Sequence, residues 1–200
     1  MESPYQGLTS DRWPAKTSEL IRKHPLDKEL LVEAVLEAWA GILETRIAGA
    51  LQIGVDIFPQ PQIMGNMLHE LIPAVLADKT GGGWKRGCYK GEKDVISVSD
   101  GQYSFEIKTS SSYNNVFGNA SYGAEDRSDA SSKDKSGYYL TVNFEKFDQE
   151  HPDKKPIIRK IRFGWIDADD WRSQKTSSGQ QATIRPEVRE GKLKTLYEAK

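Results

Sequence analysis

The fold turns on Lys93-Asp94-Val95-Ile96-Ser97-Val98-Ser99-Asp100-Gly101-Gln102-Tyr103-Ser104-Phe105-Glu106-Ile107-Lys108-Thr109. Asp94–Val98 and Tyr103–Lys108 alternate apolar and polar residues and are rich in β-branched and aromatic side chains, the pattern of two short strands. Ser99-Asp100-Gly101 reads as a three-residue hairpin loop, with Gly101 supplying a left-handed position. That loop sets Val98 opposite Gln102, Ile96 opposite Ser104 and Asp94 opposite Glu106. Opposed residues of an antiparallel pair share a face, and alternation adds Lys108 to it. Phe105 and Ile107 then point into a core.

Two carboxylates and an ammonium therefore converge on one side of one sheet. Like charges opposed across a ladder repel, so a counter-charge is expected. A hard divalent ion such as Mg²⁺ accepts carboxylate oxygens and keeps several waters, and a neighbouring lysine can hold one of those waters. The competing reading is an exposed hairpin with solvated charges.

The rest of the chain bounds the possibilities. Its 200 residues suffice for one domain, 1–200, with a real core. The single cysteine, Cys88, excludes a disulfide framework and fits a reducing, cytoplasmic setting. No leader or membrane span is expected. The net charge of -1 excludes a uniformly basic nucleic-acid binder. The charge is uneven, however: residues 151–200 hold twelve Lys/Arg against seven Asp/Glu, and that basic quarter could meet phosphates.

Asp27 reads as the cap of a helix from Lys28 to about Leu51, with Leu31, Val35, Ala38 and Ile42 on one stripe. Residues 1–60 form a helical N-terminal extension or a dimerisation element. A second helix is expected over Met67–Asp78, kinked or split at Pro73. Gly81–Gly87 reads as a flexible basic loop whose Lys85 and Arg86 can touch phosphate. His24, His69 and His151 lack ligand spacing for zinc. Tyr138–Phe144 and Ile157–Ile166 are strands, Asp167–Trp171 a capped turn, and Leu193–Tyr197 a short terminal helix.

Asp94, a spacer, then Glu106-Ile107-Lys108 resembles the PD-(D/E)XK nuclease signature, with Lys93 where the pattern has proline. Glu106–Ser111 followed by Val116-Phe-Gly-Asn-Ala-Ser-Tyr122 is similar to the stretch after the catalytic lysine in ScaI-like restriction endonucleases, as are Phe163–Asp167 and the loop at Lys175–Ala182. Ala120 stands where that family usually has a basic residue. The resemblance spans about Gly65 to Val188.

It implies an α/β restriction endonuclease-like fold, a central mixed sheet flanked by helices. It further implies a type II restriction endonuclease that hydrolyses double-stranded DNA with Mg²⁺, or Mn²⁺ as a substitute, leaving 5′-phosphate ends. Asp94, Glu106 and the Ile107 carbonyl would hold the metal. Lys108 would activate water, and Glu70, on the preceding helix, would hold a metal water or position Lys108. Cutting both strands of a palindrome implies a homodimer, and the family implies a DNA methyltransferase partner in the host.

Short donors and acceptors suited to bases and phosphates lie at Ser110, Ser111, Asn114, Asn119, Ser121 and Tyr122, and at Lys175, Gln180 and Gln181. Glu125–Gly137 is expected to be a surface linker or a loop that orders on DNA. Three alternatives stay open: a PD-(D/E)XK nuclease of repair or recombination, a non-catalytic DNA-binding module, and an α/β interaction protein without DNA affinity.

Overall fold

The computed structural model describes residues 2–89, 91–122, 135–148, 150–151, 153–173 and 181–199. Its elements in chain order are α1 (Trp13–Lys23), α2 (Lys28–Glu44), β1 (Arg46–Ile47), β2 (Leu51–Gln52), α3 (Pro61–Lys79), β3 (Trp84–Arg86), β4 (Val95–Ser97), β5 (Phe105–Ser110), β6 (Phe117–Asn119), β7 (Gly137–Phe144), β8 (Ile158–Ile166), β9 (Trp171–Ser173), β10 (Gln181–Ile184), α4 (Pro186–Lys192) and β11 (Leu193–Glu198). A six-stranded sheet runs β11-β8-β7-β5-β4-β3. Only β5 and β7 pair in parallel within it, so the sheet is mixed. Parallel neighbours need a long crossover, and residues 111–136 provide it, carrying β6. With β9 and β10, β6 forms a second, three-stranded sheet.

Register sorts the side chains onto two faces. Phe105 and Ile107 share one with Leu140, Val142, Phe163 and Trp165, all buried in the larger core cluster. Helices α1–α3 cover that face through Ile21, Leu31, Val35, Ile42, Leu68 and Ile72. Residues 1–60 are therefore built into the same core as the hairpin strands. The opposite face carries Glu106, Lys108 and Ser110 beside Tyr139, Thr141 and Asn143. A smaller cluster, including Val116, Tyr139, Trp171, Ile184 and Val188, covers part of it.

The hairpin register is the expected one, with Val95 paired to Phe105. Its loop is not. β4 stops at Ser97, and Gly101–Tyr103 forms a 3-10 turn, with Gly101 outside the left-handed region. Polar side chains take over the backbone there: Asp100 accepts the Gln102 N–H, and the Ser104 hydroxyl accepts the Ser97 N–H.

Other boundaries also move. Asp27 caps α2 by accepting the Leu30 N–H, but the helix ends at Glu44, not Leu51. Thr45 turns extended, its hydroxyl donating back to the Gly41 carbonyl, and Ala48 and Gly49 at positive φ turn the chain into the β1–β2 hairpin. α3 starts at Pro61, where a missing N–H costs nothing, and runs unbroken through Pro73. Burial of Leu68, Ile72 and Leu76 offsets that one lost backbone bond.

Gly81–Gly87 is not simply a loop: Trp84–Arg86 pairs with β4 as the sheet edge. Trp84 is buried there and stacks on His24. Pro186 opens α4, and Leu193–Glu198 is a strand on β8 rather than a helix. Ladder bonds along β8 outweigh the weak helix preference of that stretch. Among the described residues, no helix is long and apolar enough to cross a membrane.

Candidate active site

The first turns of α3 meet β5 at Gly65. A Cβ there would lie 2.6 Å from Thr109 Oγ1, so only glycine permits this approach. One turn further, at i+4 on the same helix face, His69 Nδ1 lies 3.6 Å from Asp94 Oδ2. Glu70, about 100° further round, reaches a different partner. Its carboxylate grips Arg86 of β3 at 2.7 and 2.8 Å, with the Glu70 side chain 54 % exposed.

Asp94 lies just before β4, and its Oδ2 accepts the Ile107 N–H at 2.7 Å. In a strand, a residue's N–H and C=O point to the same edge. The Ile107 carbonyl therefore lies on the edge of β5 that faces Asp94.

Glu106 is 1 % exposed. A carboxylate this deep requires compensation, and among the described residues two ammonium groups stand beside it. Lys108 Nζ lies 3.8 Å from one oxygen, and Lys93 Nζ lies 3.5 Å from the other. Lys93 also donates to the Ser136 carbonyl at 3.0 Å. Gly137 leaves it room: at φ 145°, a Cβ there would come within 3.2 Å of Lys93 Nζ. Lys108 also sits over the Tyr122 ring at 4.7 Å, a cation–π contact that fixes its height above the sheet. Burial first, then the nearby Tyr122 and Glu106, pushes the Tyr139 hydroxyl well above the usual tyrosine range, so it stays neutral beneath Lys93.

These groups open into one cleft of about 1790 Å³, lined by Glu70, His69, Asp94, Glu106 and Lys108. Small-molecule sites occupy roughly 300–1,000 Å³; this one is larger and suits a polymer. Ser110, Ser111, Asn119, Ser121, Tyr122 and Gln181 line it too. Lys85 and Arg86 are exposed on β3 outside the cleft. Asn114 turns away from it and accepts a hydrogen bond from Arg162. Lys175, Gln180 and residues 125–134 lie outside the described residues.

Sequence reasoning left out two residues. His69 was reachable, because Gly65 and His69 share a helix face one turn apart. Lys93 was not, since its approach to Glu106 depends on Gly137, more than forty residues away. Elsewhere, Asp148, Glu150 and His151 bring their ligand atoms within 4.8 Å of one another, but all three are exposed and none lines the cleft. The acids of the 167–170 turn serve the fold: Lys192 binds Asp167 at 2.7 Å and Asp170 at 2.8 Å.

A mixed sheet carrying an acid at the edge of one strand, then an acid and a lysine two residues apart on the next, defines a protein of the restriction endonuclease-like fold. The sequence profile of the ScaI restriction endonuclease family matches residues 3–197, and the chain belongs to that family. It is 41% identical over 196 residues to the Type II restriction enzyme ScaI of Streptomyces caespitosus, covering 98% of this chain and 85% of that protein. The family match takes in most of the first sixty residues, which the motifs alone did not reach.

Proposed function

We propose that this member of a restriction endonuclease family hydrolyses double-stranded DNA at specific sites with Mg²⁺, or Mn²⁺ in its place, leaving 5′-phosphate and 3′-hydroxyl ends. The supporting observation is the convergence of Asp94, Glu106 and Lys108 on one cleft whose wall holds a run of short hydrogen-bonding side chains.

The donor set fits Mg²⁺. Two carboxylates and a strand-edge carbonyl offer hard oxygens, and the cleft leaves room for water ligands. Asp94, Glu106 and the Ile107 carbonyl would hold the ion. When bound, it supplies Lewis-acid polarisation of the phosphoryl oxygen.

The side chains carry the remaining steps. Lys108, as an ammonium, orients a water for in-line attack on phosphorus. The water oxygen bonds to phosphorus and sheds its proton to solvent, while the bond to the 3′-oxygen breaks and that oxygen takes up a proton. Lys108 and Lys93 together temper the negative charge gathering beside Glu106. The Ile107 N–H keeps Asp94 oriented, and His69 supports Asp94 from α3. Glu70 either holds a water at the rim or fixes β3 through Arg86. Ser110, Ser111, Asn119, Ser121, Tyr122 and Gln181 contact bases and phosphates from the cleft wall. Asn114, Lys85 and Arg86 act further out along the duplex, and Lys175 and Gln180 are further candidate contacts.

A duplex cut in both strands needs two such sites, hence a homodimer. Ile47, Leu51, Val55 and Phe58, all exposed, lie on the stretch between α2 and α3, which favours residues 1–60 as the dimer element of a single 1–200 domain. A host methyltransferase would protect the recognition sequence, and the enzyme would work in the cytoplasm.

Digestion of a long natural DNA, with and without Mg²⁺, tests this reading beside Lys108→Ala. Discrete fragments only with Mg²⁺ and wild-type protein are expected. A smear would mean no sequence specificity, and intact DNA under all divalent ions would remove the hydrolytic reading.

A further inference from the structure

The basic excess of the C-terminal quarter has a focus away from the hydrolytic centre. A second cavity, of about 380 Å³, opens between α1, β8, α4 and β11. Lys160, Arg162, Arg189 and Lys194 line it with Glu190, and Lys160 is paired with Glu198 at 2.7 Å.

Both arginines are buried, Arg162 at 4 % and Arg189 at 8 % exposure. Among the described residues, the hydrogen-bond partners of Arg162 are amide oxygens: Asn143 Oδ1 at 2.8 Å, and Asn114 Oδ1. Arg189 reaches Asn115 Oδ1 and the exposed Glu190 carboxylate, each at 3.4 Å, and its buried Nε has no hydrogen-bond partner among the described residues. Amide oxygens satisfy donors but neutralise no charge. Two buried guanidinium groups are costly, and the acids near them, Glu190 and Glu198, are both exposed, the second also paired with Lys160. Burial, reinforced by the Arg189 charge, drags the Arg162 guanidinium down to about 10. An anion in the cavity would offset both the burial and the mutual repulsion of the two guanidinium groups.

We propose that this cavity binds a phosphate group, held by Arg162 and Arg189, with Lys194 at its mouth. Planar guanidinium forks match the oxygens of a tetrahedral phosphate, and the volume leaves room for part of the molecule that bears it. Position supports the assignment. Lys108, Thr141 and Arg162 are successive cross-strand partners, so they share one sheet face. Arg162 therefore lies two strands, about 10 Å, from the Lys108 row. The 110–116 segment spans the two sites. Asn143 Nδ2 donates to the Ser112 and Asn115 carbonyls, and Ser112 lines the larger cleft. The phosphate belongs either to the backbone of DNA crossing that cleft or to a free phosphate compound.

The test titrates orthophosphate into metal-free protein at constant ionic strength, with chloride as control, following the unfolding midpoint and the heat of binding. Expected is a saturable rise of at least about 2 °C. Affinity should fall about tenfold or more in Arg189→Gln and detectably in Lys194→Gln, an exposed position that leaves the core intact. A second arm measures DNA binding without divalent ions against salt. A slope shallower by about 0.9 in Arg189→Gln assigns the cavity to a backbone phosphate. An unchanged slope with lost orthophosphate binding assigns it to a free phosphate compound. Wild type and both variants responding alike to orthophosphate, with unchanged DNA slopes, would overturn the proposal. Neither arm requires cleavage, so its outcome stands apart from that of the hydrolytic reading.

Discussion

Replacing Gly65 with alanine tests how the helix is seated against the strand that carries the site. The new Cβ would lie 2.6 Å from Thr109 Oγ1, about 1 Å inside ordinary van der Waals contact. Thr109 cannot easily yield, because it is β-branched and fixed on β5 one residue after Lys108. Two effects compete. Alanine in a helix interior is favoured over glycine by about 1 kcal/mol, whereas overpacking costs roughly 1–3 kcal/mol. The steric term wins, and Gly65→Ala should lose up to about 2 kcal/mol. Thr109→Ala removes the obstructing oxygen and leaves the β-carbon at 3.6 Å, an ordinary contact. In that background, Gly65→Ala should turn neutral or stabilising by up to about 1 kcal/mol. Urea unfolding of the four proteins should then show a coupling of at least about 1 kcal/mol, well above the roughly 0.3–0.5 kcal/mol scatter of independent sites. Because α3 also carries His69 against Asp94, a displacement near 1 Å should cut cleavage by about a hundredfold, and Thr109→Ala should restore part of it. Additive stabilities, or unchanged cleavage by Gly65→Ala, would refute this account of the helix–strand contact.

The structure carries three further expectations. His24 is buried among aromatic rings with Nε2 on the Tyr103 carbonyl, and burial lowers it from 6.5 to about 4. The unfolded chain therefore binds a proton that the folded one refuses, so stability is intact above pH 6.5 and falls by about 3 kcal/mol as pH drops to 4; His24→Gln should flatten that slope, measured by denaturation across this window. Lys93→Met should cost about 2–4 kcal/mol without divalent ions, since the buried Glu106 loses an ammonium group beside it; millimolar Mg²⁺ should recover part of the loss, and an identical deficit with and without Mg²⁺ would contradict the charge argument. Asp94→Asn keeps an oxygen for the Ile107 N–H, so its stability should stay within about 1 kcal/mol, while calorimetric Mn²⁺ affinity falls at least about tenfold; undiminished affinity would remove Asp94 from the ligand set.

The register of Val95 on Phe105, and the seclusion of Phe105 and Ile107, followed from chain-local rules. Strand period fixes which side chains share a face, and nothing distant alters it. The Asp27 cap and the Tyr138–Phe144 strand were legible for the same reason. Leu193–Glu198 was not, because its conformation is set by a vacant edge of β8, and Trp84–Arg86 became a strand by covering the outer edge of β4.

The residues of the candidate site divide along the same line. Asp94, Glu106 and Lys108 are a spacing, and a spacing can be read from the chain. Lys93 on Glu106, which needs the room left at Gly137, Glu70 on Arg86 and the paired arginines of the second cavity depend on how separate elements pack. Charge compensation in a buried site depends on distance in space. Local sequence therefore chose which acids the sheet would present, and only the packing of α3, β7 and β8 decided which cations would stand beside them.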